Sequence, residues 1–292
     1  MHSLDLGPLA TDTGLRGATL GQWSPRRPTG GLWAVTMVKN EQDIIATTIA
    51  HLLEQGVERV VVADNLSTDA TPDILRELGR SAPVTVVTDR LVGYDQEYKM
   101  SILARVAARH GASWVLPFDA DEIWLAPGHR DLATFFAASD ADVLRAVVYD
   151  HVPSPDDDPD EADPVRRLGH RCVEPSRWSK VAFRAFPLAQ LSLGNHHVRR
   201  PGRRGTGLEI RHFPVRSLQQ YAGKMRTGAA ALAASNYGLS GGRHWRQVGV
   251  LDDRGIETAF ERWIAEAQPV VFDPVAVGTV PTPVAEQYRP AP

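Results

Sequence analysis

The chain has 292 residues, 43% of them hydrophobic and 23% charged, enough for one large domain or two small ones with a full core. Its net charge of -3 argues against nucleic acid or an anionic membrane surface as the main partner. One cysteine, Cys172, rules out an intramolecular disulfide, and no apolar run reaches the length of a signal core or a membrane span, so a cytoplasmic protein is expected.

Residues 1–30, rich in Gly, Pro, Thr and Arg without periodicity, read as a loosely packed arm. Leu32–Met37 is predicted as the first strand, with Val38-Lys-Asn-Glu41 as its exit loop. Asp43 is expected to cap a helix running to about Gln55, which carries Ile44, Ile45, Ile49, Leu52 and Leu53 on one face and stops at Gly56. Arg59–Asp64 reads as a second buried strand ending in an acid, followed by Asn65, Ser67 and Asp69. A helix follows from about Thr71, with Pro72 suited to its first turn. Val84–Val87 makes a third strand, and Gln96–Arg109 is helical by spacing, ended by Gly111. Strands alternating with helices of this length predict βαβ units and a parallel, doubly wound sheet.

Trp114-Val-Leu-Pro-Phe118 is an apolar run that ends in three carboxylates, Asp119, Asp121 and Glu122. Acids at the carboxyl end of such a strand lie where open α/β sheets bind ligands. Two carboxylates this close call for a cation between them. A Mg²⁺ or Mn²⁺ ion bridging a diphosphate suits the pattern, because such an ion takes few carboxylates and completes its shell with phosphate oxygens and water. The first turn lacks G-x-G-x-x-G, which weakens a dinucleotide-binding or methyltransferase reading.

Beyond residue 125 the pattern is less regular. Leu132–Phe136 is expected as a short helix and Val143–Tyr149 as a strand. Pro153–Pro164 carries six acids among four prolines and reads as a solvated loop, with a flap over substrate as its functional alternative. Val181–Phe186 and Leu208–Phe213 look like strands. Ser217 is expected to cap a helix reaching about Ala234, a further helix spans about Ile256–Ala267, and the tail from Pro281 is expected to fray.

Lys39-Asn-Glu41, Asp64-Asn-Leu-Ser-Thr-Asp69 and Asp119-Ala-Asp-Glu122, in that order, resemble the family-2-like glycosyltransferases of GT-A fold. Arg211-His-Phe-Pro-Val-Arg-Ser217, with Lys224 further on, looks like the His-Tyr/Phe-Pro-x-Arg-Ser segment of one branch of that group. The resemblance implies an α/β, Rossmann-like nucleotide-sugar-binding fold with a mostly parallel central sheet and a less regular acceptor half. In this division, residues 1–30 form the arm, 31–125 the nucleotide-sugar half, 126–280 the acceptor half, and 281–292 the tail. It further implies a divalent metal, Mn²⁺ or Mg²⁺, and sugar transfer from a nucleotide donor such as a UDP-sugar to a hydroxyl acceptor, with inversion. The acceptor and the oligomeric state are not specified by these motifs.

Carried over by residue, the resemblance puts Asp64, with Asn65 beside it, and Glu41 at the nucleoside end. Gln96 would lie near the nucleotide, Asp119 near the ribose and metal-bound waters, and Asp121 on the metal. His212 would be a later metal or diphosphate ligand. The departing diphosphate gains negative charge, so cations there lower the barrier, and Lys180, Arg216 and Lys224 are candidates. Glu122 and Asp150 are candidates for the general base, Glu122 alternatively serving to orient its neighbours. Here the branch usually has a loop with Gly and Ser, whereas this chain has Asp150-His151 and the acidic run.

His196 and His197 are weighed as acceptor or metal contacts against simple packing, and His51 as structural. Trp124 and Trp178 are weighed as stacking surfaces, and Arg199–Arg204 as an anion contact against a solvated loop. A nucleotidyltransferase and a non-catalytic nucleotide-sugar-binding module are the competing readings. The first normally needs a Gly-rich basic loop that Val38–Asp43 does not supply, and the second has no need of acids at three strand exits.

Overall fold

A computed structural model describes residues 30–91, 93–235 and 242–278, with the backbone of three two-residue strands before them. Apart from those strands and Gly30, the arm expected over residues 1–30 lies outside the described residues, as does the tail from Pro281.

The first half alternates as its periodicity predicts. Its elements are β1 (Leu32–Val38), α1 (Ile45–Glu54), β2 (Arg59–Asp64), α2 (Thr71–Ser81), β3 (Val84–Asp89), α3 (Gln96–Arg109) and β4 (Trp114–Pro117). β1 pairs in parallel with β2 and β4, and β2 with β3. Both faces of these strands are covered, which is why they read as continuous apolar runs rather than alternating ones. Leu32 and Ala34 of β1 share one core with Ile45, Ile49 and Leu52 of α1 and Ile74, Leu75 and Leu78 of α2. Trp33 and Val35 face the other way, onto Met100, Leu103 and Val106 of α3. Gly56, at φ 82°, ends α1 in a conformation that costs a side-chain-bearing residue more.

The second half is β5 (Glu122–Leu125), α4 (Leu132–Ala138), β6 (Val143–Asp150), α5 (Pro164–Arg167), β7 (His170–Cys172), β8 (Lys180–Arg184), β9 (Gln190–Leu191), β10 (Val198–Arg199), β11 (Arg204–His212), α6 (Leu218–Ala233), α7 (Arg243–Val248), α8 (Asp253–Glu266) and β12 (Val270–Phe272). The main sheet runs β3-β2-β1-β4-β8-β6-β11-β5, with Leu15–Arg16 beside β3. β8 inserts antiparallel between β4 and β6, β6 and β11 are parallel, and β5 closes the edge antiparallel to β11. The segment after β4 therefore leaves the middle of the sheet and rejoins it at the far edge. Helices α6–α8 gather around a separate small core of Val215, Tyr221, Met225 and Ile256.

One local expectation changes. Asp43 does not cap α1, which starts without a side-chain cap, because its carboxylate is taken by Arg216. The acidic stretch is a mostly exposed loop, as expected, and partly satisfies its own backbone: Ser154 N–H donates to Asp157 at 2.8 Å, and Asp163 caps α5 while accepting from the Thr47 hydroxyl at 2.6 Å. Ser217 caps α6 as expected, accepting from Gln220 N–H.

His151, directly after β6, is fully buried. Its Nδ1 donates to Leu168 O at 2.7 Å, and its ring stacks on Phe213 with centroids 4.4 Å apart. Burial pulls its pKa from 6.5 to about 4, with Arg211 pushing the same way and the Leu168 bond opposing. Between those values the unfolded chain binds a proton that the folded chain refuses, so stability falls as pH drops from about 6.5 toward 4. The expected loss is about 3 kcal/mol at the acid end. Urea unfolding at pH 6.5 and pH 4 should show His151→Gln losing that much less than the parent chain; equal losses would remove His151 as the cause.

Candidate active site

The carboxyl ends of β1, β2, β4, β6 and β11 converge beneath α6–α8 on a cavity of about 640 Å³. Glu41, Asn65, Gln96, Asp119, Asp121, Asp150, Lys180, His212 and Lys224 line it, and Tyr94, Trp178, Tyr221, Trp245 and Trp263 supply aromatic wall. Register explains how residues distant in sequence meet. His212, the last residue of β11, sits opposite Asp150 on β6 and opposite Glu122 on β5.

Asp119 is held from several directions. Lys180 bonds its Oδ2, Gln96 Nε2 and Asn195 Nδ2 each donate to Oδ1 at 3.3 Å, and its own N–H donates to Glu122 Oε2 at 3.0 Å. Lys180 also reaches Glu122 Oε1 at 2.6 Å. Burial alone would lower the Lys180 pKa, but Asp119 and Glu122 outweigh it and drive it above the ordinary lysine value. Lys180 is thus a counter-ion set between two carboxylates.

Asp121, 4% exposed, faces a second group of cations. Lys224 Nζ lies 2.6 Å and Arg216 Nη1 3.6 Å from its Oδ2, and His212 Nε2 lies 3.6 Å from its Oδ1. Burial works to raise the Asp121 pKa, yet Lys224, His212 and Arg216 prevail and hold it well below the usual carboxylate range. His212 Nδ1 donates to Asp150 Oδ1 at 2.7 Å. Burial pulls His212 down, but Asp121 and Asp150 together push it up to about 10.

Several expected roles are altered by these contacts. Arg216 is not available to phosphate: its buried guanidinium reaches Asp43 at 2.7 and 2.9 Å and Glu41 at 2.6 Å, and it lies outside the cavity lining. Glu122 is fully buried and also outside the lining, which removes it from an acceptor hydroxyl and leaves it the orienting role. Trp124 is fully buried, its carbonyl accepting from His51 at 2.8 Å, so it packs rather than stacks on a ligand. Asp64 lies beyond the lining, where its Oδ1 accepts from Ser67 N–H at 3.2 Å. Asn65 does line the cavity, but its amide donates to Asp89 at 2.8 Å and Leu91 O at 2.6 Å. His197 and residues 199–204 lie outside the lining, with Arg200 paired to Asp142 at 3.0 Å. His196 lines the cavity and stacks on the half-exposed Trp178 at 4.8 Å, and no residue of the 153–164 stretch lines it.

The motif residues at the exits of β1 and β2 largely serve one another. Asn40 N–H donates to Ser67 Oγ and Asn40 Oδ1 accepts from Thr68 N–H; Glu41 N–H donates to Thr71 Oγ1, and Gln42 N–H to Asp69. Lys39 Nζ closes the knot on Asn65 O at 2.8 Å. Sequence reasoning missed a second anchor nearby, the fully buried pair of Lys99 and Asp89 at 2.7 Å. Lys99 also donates to Leu91 O and Gly93 O, tying down the loop beside Tyr94. The available signal was spacing: Lys99 lies on the same helical face as Leu103 and Val106, where a lone charge needs a partner.

A divalent ion fits the donor set. Asp121 would offer a carboxylate oxygen, and His212, once the metal displaces its proton, would offer Nε2 with Nδ1 already committed to a carboxylate, the arrangement that orients metal-binding histidines. Among the described residues no three His, Cys, Asp or Glu side chains form a complete cage. Such an ion would therefore draw its remaining ligands from phosphate and water.

A family model for glycosyl transferase family 2 matches residues 33–185, more than half of the chain. The chain belongs to that family. This glycosyltransferase accordingly has the GT-A architecture: a Rossmann-like parallel set, β1–β4, extended by the mixed strands that carry Asp150 and His212. Among solved structures it is similar to residues 1–349 of TarS from S. aureus, at 16% identity over 80% of this chain and 73% of that one, with a TM-score of 0.40. The same TarS fragment in complex with UDP-GlcNAc matches at 14% identity over 75% and 70%, with a TM-score of 0.39. Glucosyl-3-phosphoglycerate synthase from Mycobacterium tuberculosis, in complex with phosphoglyceric acid, matches at 13% identity over 76% and 87%, with a TM-score of 0.34. No curated protein sequence matches this glycosyltransferase. Among its described residues no helix is long and apolar enough to cross a membrane.

The Lys180 pairings yield a direct test. Lys180→Met leaves Asp119 and Glu122 facing each other without a cation and should cost about 3–5 kcal/mol of unfolding free energy. Adding Glu122→Gln should recover a large part of it. Urea denaturation of both variants checks this, and a loss under about 1 kcal/mol would mean the pair is no more than a surface bridge.

Proposed function

We propose that this glycosyltransferase moves a sugar from a nucleotide diphosphate sugar, a UDP-sugar in the first instance, to a hydroxyl acceptor with inversion, and that it needs Mn²⁺ or Mg²⁺. One observation carries the reading. Asp121, His212 and Lys224, from three separate segments, meet on one wall of the cavity at the carboxyl ends of the strands, with Asp150 beside them. Family membership sets aside the nucleotidyltransferase and the non-catalytic module.

In this reading the nucleoside end lies over the knotted exit loops, against Glu41, Asn65 and Lys39. Gln96 holds Asp119 toward the ribose. Asp121 and His212 would hold the metal, and its positive charge, when bound, would offset the charge that grows on the diphosphate. Lys224 lies on the same wall and donates to phosphate oxygens; its ammonium, already shared with Asp121, keeps its proton because Asp121 and Glu41 outweigh the effect of burial. As the bond from sugar C1 to the diphosphate oxygen breaks, the acceptor oxygen bonds to C1 from the opposite face. The leaving diphosphate keeps the electron pair, and the hydroxyl proton passes to a base. Asp150 suits that role. It lines the cavity, its Oδ1 accepts from His212, and its Oδ2 has no protein partner among the described residues.

Melting curves with UDP and Mn²⁺ test the donor half, since a ligand bound only by the folded state raises the midpoint. UDP with Mn²⁺ should stabilise the protein more than either does alone, and Asp121→Asn should lose that increment while retaining its circular dichroism. Release of UDP from a UDP-sugar should fall by at least about 100-fold in the same variant. Undiminished UDP release by Asp121→Asn ends the reading.

A further inference from the structure

Past Asp150 the donor cavity continues into a second one of about 330 Å³, and Asp150, Ser176 and Trp263 line both. Its lining differs in character from the diphosphate side. Glu174, Glu266 and Gln268 stand there with Trp263, and no Lys, Arg or His is among the lining residues. The Glu174 and Glu266 side chains have no protein partner among the described residues, so their oxygens remain free to accept hydrogen bonds. At the junction itself stands Trp263, which lines both cavities and packs against the small core of α6–α8; Trp178, 52% exposed on the donor side, has His196 flat against its ring and the Arg177 guanidinium 5.2 Å from its centroid. An indole at the edge of a polar pocket, here that of Trp263, presents apolar surface that a sugar ring can cover with its C–H bonds, while carboxylate and amide side chains take its hydroxyls.

The geometry points to this second cavity as the acceptor subsite and to a neutral sugar as the acceptor, its ring against Trp263 and its reacting hydroxyl at Asp150. Carboxylates without a balancing cation repel a phosphate or carboxylate group, so an anionic acceptor is selected against. A volume near the low end of ligand pockets suits one sugar unit, with the remainder of a longer glycan outside. The inference rests on the proposed donor site. In the transfer it implies, the sugar hydroxyl gives its proton to Asp150, its oxygen bonds to C1 of the donor, and UDP departs with the electron pair.

The test measures UDP release from UDP-glucose and UDP-N-acetylglucosamine with Mn²⁺, adding in turn the methyl glycosides of glucose, galactose, mannose and N-acetylglucosamine, and 3-phosphoglycerate as an anionic probe. UDP affinity is measured separately by calorimetry. At least one glycoside should raise the rate at least about tenfold above the water reaction, and 3-phosphoglycerate should not. Ala267→Trp, which fills the second cavity, should abolish that stimulation with UDP affinity within about twofold of the parent. A second variant, Glu174→Lys at an exposed position, should raise the KM of the stimulating glycoside and leave UDP affinity unchanged. The proposal is overturned if no glycoside stimulates although UDP binds, if 3-phosphoglycerate stimulates as well as the sugars, or if stimulation survives Ala267→Trp. Absence of UDP binding in the parent chain would instead remove the donor reading on which it stands.

Discussion

Charge balance inside a dry site is the constraint on which this structure depends. Glu41, Asp43, Asp119, Asp121 and Glu122 gather at the strand ends, and isolated carboxylates there would refuse to ionise. Three cations oppose that: Lys180 between Asp119 and Glu122, Arg216 across Glu41, Asp43 and Asp121, and Lys224 on Asp121. They hold Asp121 well below the usual carboxylate range, while burial still raises Glu122 and carries Glu41 to about 7. Arg216 is buried outside the lining and acts as scaffold, whereas Lys180 and Lys224 also face the cavity. Similar residue types thus divide into those that build the site and those that can meet a ligand.

The sheet supplies the geometry. β4 delivers Asp119 to the middle of the strand ends, and β5 rejoins at the edge, so the short turn through Asp121 spans the cavity floor. Pairing of β11 with both β6 and β5 sets Asp150, His212 and Glu122 in one row. A slip of one residue between β11 and β6 would turn His212 away from Asp150, and one between β11 and β5 would move Glu122, so register is part of the chemistry.

Much of the first half was legible because the apolar runs of β1, β2 and β4 and the spacing in α3 carry strong local signals, and the acids at the strand exits mark the ligand side. Ownership of those acids was not legible. Arg216 looks like a phosphate ligand in sequence because it flanks His212, but its partners Glu41 and Asp43 lie far back in the chain. The same holds for Lys180, whose carboxylates come from another segment, and for Lys99, whose partner Asp89 terminates the preceding strand. The short edge strand β5 was hidden because its residues follow the acidic turn without a break, and only pairing with β11 defines it. Asn40, Ser67 and Asp69 carry the motif but spend it on holding two loops together.

The roof of the cavity has a core of its own. Val215, Tyr221, Met225 and Ile256 pack together apart from the two large cores that flank the sheet. An assembly that small opens at a lower free energy than the strands beneath it. When it lifts, Lys224, Tyr221, Trp245 and Trp263 leave while Asp121, His212 and Asp150 keep their places on the sheet and its turn. Mild denaturing stress therefore silences the enzyme before it unravels the strands, and the protein tells its two failures apart: first the loss of its lid, then the loss of its fold.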